Sequence, residues 1–342
     1  MNKQISIIYQ TIDSFIPFPI YFLLRRFILT LVFTVVLYRL GQYLPYIGDG
    51  AYVEQMAEMD WVVLMHSVLT SLMHKLVYTI LRPFGWNAWD SVSVSSSIAG
   101  ALAIQVLFAI RRNPIFLIVN IFSGSFLVFI GEVENYAWVN LFLLSTFWAI
   151  ERYLQGKAPL WPATVFFFLA ALFHFLALFY LPAIFWVMVQ RPNFKAYEFV
   201  APFFLFLSLL MGILFCFASE GLDLDSGRLV PLFQIRRKGQ FFTFFSWEHW
   251  KLLAYFHYNA AFMRFPIEWP LLFFLRKGID TPFKYFLLYC SFIGLIWTTF
   301  WHPDLGPLDW DLFSQMSISL HVLLGILLYE YVHTQIKKCV MV

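Results

Sequence analysis

Long apolar runs alternate with short polar breaks along the whole chain. Runs of about 20 apolar residues are long enough to cross a bilayer as helices. The first extends from Leu23 to Leu44, and later ones cover 91–110, 114–131, 136–152, 160–173, 175–190, 197–218, 249–275, 283–301 and 312–332. One stretch breaks the pattern. Residues 48–60 are polar, and 61–84 are apolar but interrupted by His66, His74, Lys75, Tyr78 and Arg82. His74, Tyr78 and Arg82 recur every fourth residue and so share one helical face. That spacing predicts an amphipathic helix lying on the membrane surface rather than crossing it.

Charge arbitrates the topology. With 61–84 on the surface the chain has ten spans, and both termini share one side. Arg25-Arg26, Arg111-Arg112, Arg152, Lys157, Arg191, Lys195, Arg276-Lys277 and Lys337-Lys338 then all face that side. Asp49, Glu132, Glu134, Asp223, Asp225, Asp309 and Asp311 face the other. If 61–84 crossed the membrane, Arg111-Arg112 would leave the basic side. The positive-inside rule therefore places the termini in the cytoplasm. The expected fold is all-α, a single transmembrane domain over 1–342. Its outer loops are long: 45–90 with the surface helix, 219–248, and 302–311. The N-terminal segment lacks a cleavage-site pattern, so the first span is expected to be retained.

Composition agrees with this picture. Of 342 residues, 61% are hydrophobic and 13% charged, against roughly a quarter charged in soluble domains. The 42 phenylalanines and 13 tryptophans suit lipid-facing surface and interfacial belts. Cys216, Cys290 and Cys339 lie in or beside apolar runs and suggest neither a disulfide frame nor a metal site. Nothing points to nucleic acid. No phosphate-binding glycine loop, nucleophile elbow, His-Glu-x-x-His motif or CxxC pair is present. A soluble hydrolase and a nucleotide-driven pump are thereby disfavoured.

Chemistry is then sought on the outer side. Asp49 stands between Gly48 and Gly50, which permit a tight turn and leave the carboxylate accessible. It reads equally well as a simple turn residue. Gly131-Glu132-Val133-Glu134-Asn135-Tyr136 carries two carboxylates and an amide at the outer end of a span. Charges at that depth are costly and usually paired or functional. Part of the motif also suits helix capping. On a helix, residues two apart face different ways, so one of Glu132 and Glu134 would face a shared cavity. His174 is a lone imidazole in an apolar hairpin, either a packing group or a phosphate contact. Arg228, Arg236 and Arg237, with Lys238, are cations in an outer loop, suited to a substrate phosphate or to lipid headgroups. Asp309 and Asp311 could hold a divalent cation, magnesium or manganese, or cap the last helix.

A glycine-flanked Asp49 in a first outer loop, a surface helix after it, and Glu132 and Glu134 beyond the third span resemble the GT-C superfamily of membrane glycosyltransferases. The His174 hairpin with Leu181-Pro182 is similar to segments of bacterial mannosyl- and aminoarabinose-transferase-like proteins. The stretch Leu305-Gly306-Pro307-Leu308-Asp309-Trp310-Asp311 resembles one in bacterial relatives. The resemblance implies sugar transfer from a polyprenyl-phosphate donor on the outer face. The acceptor would be a glycan, a lipid or a protein, and the setting a bacterial inner membrane with a periplasmic active face. It makes Asp49 the general base on the acceptor hydroxyl, with Glu132 and Glu134 as further catalytic acids. His74, Asn135, Tyr136, His174, Arg228, Arg236, Arg237, Asp309 and Asp311 would contact substrate. Asp49 is followed by Gly50 rather than by a second acid, which makes metal-independent base catalysis the sharper expectation. A polymerase or flippase-like protein for lipid-linked sugars would share the long outer loop. A transporter would use Glu132, Glu134 and His174 as a proton relay.

Overall fold

A computed structural model describes residues 18–43, 50–59, 61–191, 194–220, 229–235, 240–260, 267–303 and 306–340. It is all-α apart from one small parallel pair of strands. The helices are α1 (Phe18–Gly41), α2 (Gly50–Glu58), α3 (Val68–Leu81), α4 (Ala88–Ile110), α5 (Pro114–Ile121), α6 (Ala137–Leu154) and α7 (Trp161–Phe173). They continue with α8 (Leu181–Val189), α9 (Tyr197–Cys216), α10 (Trp247–Ala260), α11 (Glu268–Leu275), α12 (Pro282–Phe300), α13 (Trp310–Ser314) and α14 (Ile318–Val340). Strands β1 (Val62–Leu64) and β2 (Ala218–Glu220) pair in parallel, Val62 opposite Ala218 and Leu64 opposite Glu220.

Among the described residues, four helical stretches are long and apolar enough to cross a membrane: Ala88–Ile110, Tyr197–Cys216, Pro282–Phe300 and Asp311–Cys339. Several other expected spans are broken. The 114–131 run forms the eight-residue α5 and then a 3-10 turn, Gly124–Phe129. Eight helical residues rise about 12 Å, well short of a bilayer core of about 30 Å. The 175–190 run likewise splits into a 3-10 turn, Phe175–Tyr180, and α8. Hydropathy registers the apolar run but not the break. Broken helices persist where their freed backbone groups are buried in protein.

α4 is the centre of the bundle and packs on α1, α2, α3 and α6. Its serines Ser91, Ser93, Ser95, Ser96 and Ser97 are buried, and Trp138 Nε1 donates to Ser95 Oγ at 2.9 Å. Small residues let helices approach closely in a membrane. A Cβ on Gly100 would stand 2.6 Å from the Cβ of Phe129, and one on Gly294 would stand 2.4 Å from the Met316 carbonyl oxygen. α14 runs antiparallel to α5, with Gly325 against Phe116 and the His321 carbonyl near Asn120.

The two ends of the bundle carry different polar groups. At one end Arg111 pairs with Glu151 at 2.6 Å, and Arg191 donates to the Tyr153 carbonyl at 2.8 Å. At that same end Lys284 is buried against Asp280 at 2.7 Å and Glu330 at 2.6 Å. The carboxylates and imidazoles of the 131–136 loop and the His174 break lie at the other end.

Candidate functional site

Three segments build this site, beginning with α3. Ser67, Thr70, Ser71 and His74 follow the i, i+3, i+4, i+7 spacing of one helical face, and all four are buried. Leu76, Ile80 and Phe84 point outward instead. The polar stripe of this helix turns into the protein, and its apolar side turns out. His74 is 3% exposed, whereas Arg82, on the same predicted face, is exposed. Among the described residues no hydrogen-bond partner reaches His74 Nε2, and burial pushes the imidazole down to about 3. Lys75 Nζ donates to the Ala57 carbonyl at 3.0 Å and also to the Met59 carbonyl, tying α3 to the end of α2.

The second segment is the 131–136 loop. Gly131 has a φ of +67°, and a Cβ there would meet Ser93 Oγ at 2.7 Å. A Cβ on Gly41 would meet the Ile130 carbonyl at 2.4 Å. The chain therefore turns sharply, pressed between the end of α1 and the face of α4. Val133 inserts among Val53, Ala57, Ala88 and Val92. The loop is not helical, so the helical argument that only one acid faces inward does not apply. Burial separates the pair instead: Glu134 is 1% exposed, and Glu132 is partly exposed. Crowding by protein atoms still pushes the Glu132 carboxyl up to about 8. Tyr136 holds the N-cap position of α6 with no side-chain cap hydrogen bond, so Glu134 and Asn135 are not the caps the motif suggests.

The third segment is the break after α7. His174 adopts an extended backbone, φ −161° and ψ 127°, and its Nδ1 accepts from Leu176 N–H at 3.1 Å. An accepting Nδ1 puts the proton of the neutral ring on Nε2. The His174 ring lies 5.2 Å from His66 and 5.4 Å from Tyr136, centroid to centroid. Thr70 Oγ1 donates to the Phe173 carbonyl at 2.6 Å and approaches the Asn135 carbonyl at 3.4 Å. Phe175 N–H donates to the His66 carbonyl at 2.8 Å. His66, Thr70, Asn135, Tyr136 and His174 thus form one cluster, flanked by Glu134 and, one turn along α3, His74.

Of the predicted site residues, Tyr136 and His174 meet directly, Asn135 reaches them through Thr70, and Glu132, Glu134 and His74 lie beside them along the 131–136 loop and α3. Asp49, Arg228, Arg236 and Arg237 lie outside the described residues. Gly50, next to Asp49, begins α2 and is buried. Asp309 and Asp311 sit elsewhere, at the start of α13, which packs on α10 and on the Gly124–Phe129 turn. Asp311 Oδ1 accepts from Leu312 N–H at 2.8 Å, so its carboxylate serves the helix start. Among the described residues no group of three His, Cys, Asp or Glu side chains is placed to hold a metal ion.

Sequence reasoning left His66 and Thr70 without a role. His66 was visible as an interruption of an apolar run. Thr70 carried no such signal. A second buried polar group was also missed. Ser125 Oγ lies 2.9 Å from His321 Nδ1 and 3.0 Å from Ser123 Oγ, and His321 Nε2 lies 3.7 Å from Glu268 Oε1. No family model, curated protein or solved structure matches this chain.

Proposed function

We propose that this chain is a multi-pass membrane glycosyltransferase of the GT-C type. It moves a sugar from a polyprenyl-phosphate donor to a hydroxyl on a glycan, lipid or protein acceptor. On this reading the chain crosses the membrane ten times, with the 114–131 and 175–190 crossings made by broken helices, α3 lies on the outer surface, and the Glu134–His174 cluster faces the periplasmic side of a bacterial inner membrane. The observation that carries the proposal is the meeting of the first-loop helix, the 131–136 loop and the α7 break in one polar cluster. These three segments are far apart in sequence, and together they supply carboxyl, amide, phenol, hydroxyl and imidazole groups.

Asp49 takes the proton of the acceptor hydroxyl. The acceptor oxygen bonds to the anomeric carbon as the bond from that carbon to the phosphate oxygen breaks, and polyprenyl phosphate leaves. A base in inverting transfer must reach the nucleophile on the side opposite the leaving group. Glu132, with its carboxyl pushed up to about 8, is mostly protonated at pH 7. It can therefore lie beside a phosphate and donate to it, which an ionised carboxylate could not do without repulsion. Arg228, Arg236 and Arg237 supply the cationic forks for the leaving phosphate. His66, Tyr136 and His174 offer polar edges and flat faces to the sugar.

The test is transfer from a labelled polyprenyl-phosphate sugar by purified protein. Asp49→Asn should abolish transfer while membrane insertion stays normal. Full activity in that variant would remove the base and overturn the assignment. A proton-coupled transporter draws support from the buried Glu268–His321–Ser125 chain. Proton-driven uptake by proteoliposomes that show no transfer product would select that reading.

A further inference from the structure

We propose that the lobe formed by residues 229–235 and 240–250 is a wedge seated in the lipid interface, not a loop standing in water. Its inner side is packed. Phe242 stacks on His302, centroids 4.5 Å apart, and on His249 at 5.4 Å, and all three are buried. Phe241 N–H donates to His302 Nε2 at 3.1 Å, Val230 N–H donates to the Phe300 carbonyl at 2.9 Å, and Phe244 N–H donates to the Pro231 carbonyl at 2.8 Å. These bonds hold the lobe against the end of α12. Its other side exposes large aromatic side chains beside Gln234 and Glu248: Phe233 is 80% exposed, Trp247 74%, Phe245 66% and Phe241 65%. Contiguous apolar surface of this kind marks an interaction site.

The neighbouring span indicates what covers it. Along α12 the exposed large residues are Tyr285, Tyr289, Phe292, Ile296 and Phe300. They follow the three- and four-residue spacing of one helical stripe, about 22 Å long. α12 is one of the four helices long and apolar enough to cross a membrane, so this stripe is its lipid face. The stripe ends on Phe300, whose ring stacks on Phe244 at 5.3 Å. Phe244 in turn touches Phe245 at 5.2 Å and Trp250 at 5.3 Å. The lipid face thus continues without a polar gap into the lobe. Tryptophan and phenylalanine at that depth are the residues of an interfacial belt. Lys284, in the first turn of α12, lies beside Glu330, so the far end of the helix is the end of the bundle that holds the Glu134–His174 cluster. The wedge occupies the leaflet on that side, where a lipid-borne substrate would approach.

The test uses the full chain in nanodiscs of phosphatidylcholine and phosphatidylglycerol. Single cysteines replace Phe233, Phe245 or Trp247 in a background lacking Cys216, Cys290 and Cys339, and each carries a nitroxide. Collision with oxygen, which partitions into lipid, is compared with collision with a water-soluble nickel chelate. A label at Lys338, on the exposed end of α14, is the aqueous reference. The proposal expects the oxygen-to-nickel collision ratio at all three positions to exceed that at residue 338 by several-fold. A ratio equal to that at residue 338 would overturn it in favour of a solvated loop. Protection from both reagents would overturn it in favour of a protein contact. Phe233→Glu with Phe245→Glu, read from a label at 247, should drive that ratio toward the aqueous value. An unchanged ratio would show that the aromatics do not hold the lobe in lipid. Neither readout depends on sugar transfer.

Discussion

The hydroxyl of Thr70 donates to the carbonyl oxygen of Phe173 at 2.6 Å, joining two segments 103 residues apart. Phe173 is the last residue of α7, and its successor His174 leaves the helix in an extended conformation. A carbonyl freed by such a break must find a partner inside the protein. Thr70 is that partner, and it also reaches the loop that carries Glu134 and Asn135.

Thr70→Val keeps the shape of the side chain and removes the donor. Leaving a buried carbonyl unsatisfied costs about 1–3 kcal/mol. Thermal unfolding in detergent should show the loss, and Thr70→Ser should restore most of it. Wild-type stability in the valine variant would contradict the role given to this hydroxyl.

Glu132 sets an alkaline limit. Its folded carboxyl titrates at about 8 against an ordinary 4.5, so between those values the folded state holds a proton that the unfolded state has released. The contribution is complete below pH 4.5 and is lost as pH rises toward 8. The melting temperature should therefore decline across that window, and Glu132→Gln should flatten the decline. If the protonated form assists transfer, wild-type activity should also fall above pH 8.

His74 acts in the opposite sense. Its imidazole is pushed from 6.5 down to about 3, so the folded state stays neutral while the unfolded chain takes up a proton. Its contribution is complete above pH 6.5 and is lost as pH falls toward 3. His74→Leu should unfold less readily in acid than the wild type. Loss of transfer in this variant at unchanged melting temperature would give His74 a place at the substrate. Retained transfer would make it a packing group.

Gly131 cannot carry a side chain. A φ of +67° is unfavourable for alanine, and the new methyl would stand 2.7 Å from Ser93 Oγ. Strained backbone of this kind costs about 1–3 kcal/mol. Gly131→Ala should lower stability and shift the Glu132–Tyr136 loop. Adding Ser93→Ala should recover the part due to the clash and leave the part due to φ. A double-mutant cycle on thermal unfolding separates the two.

Hydropathy by itself determined that this chain is all-α, with helices long and apolar enough to cross a membrane. Burial of apolar length is a local property, readable in a window of about 20 residues. The motif Glu132–Tyr136, the lone His174 and the periodic His74 were legible for the same reason, because a polar group in an apolar run is conspicuous. Their meeting was not legible. It depends on Thr70, a residue with no signal of its own, bonding to a carbonyl released by a helix break that hydropathy cannot register. The breaks after α5 and α7, the inward turn of the α3 polar stripe and the pairing of β1 with β2 are likewise tertiary decisions. Each is settled by which backbone and polar groups find partners across the bundle, and that is a property of distant segments together.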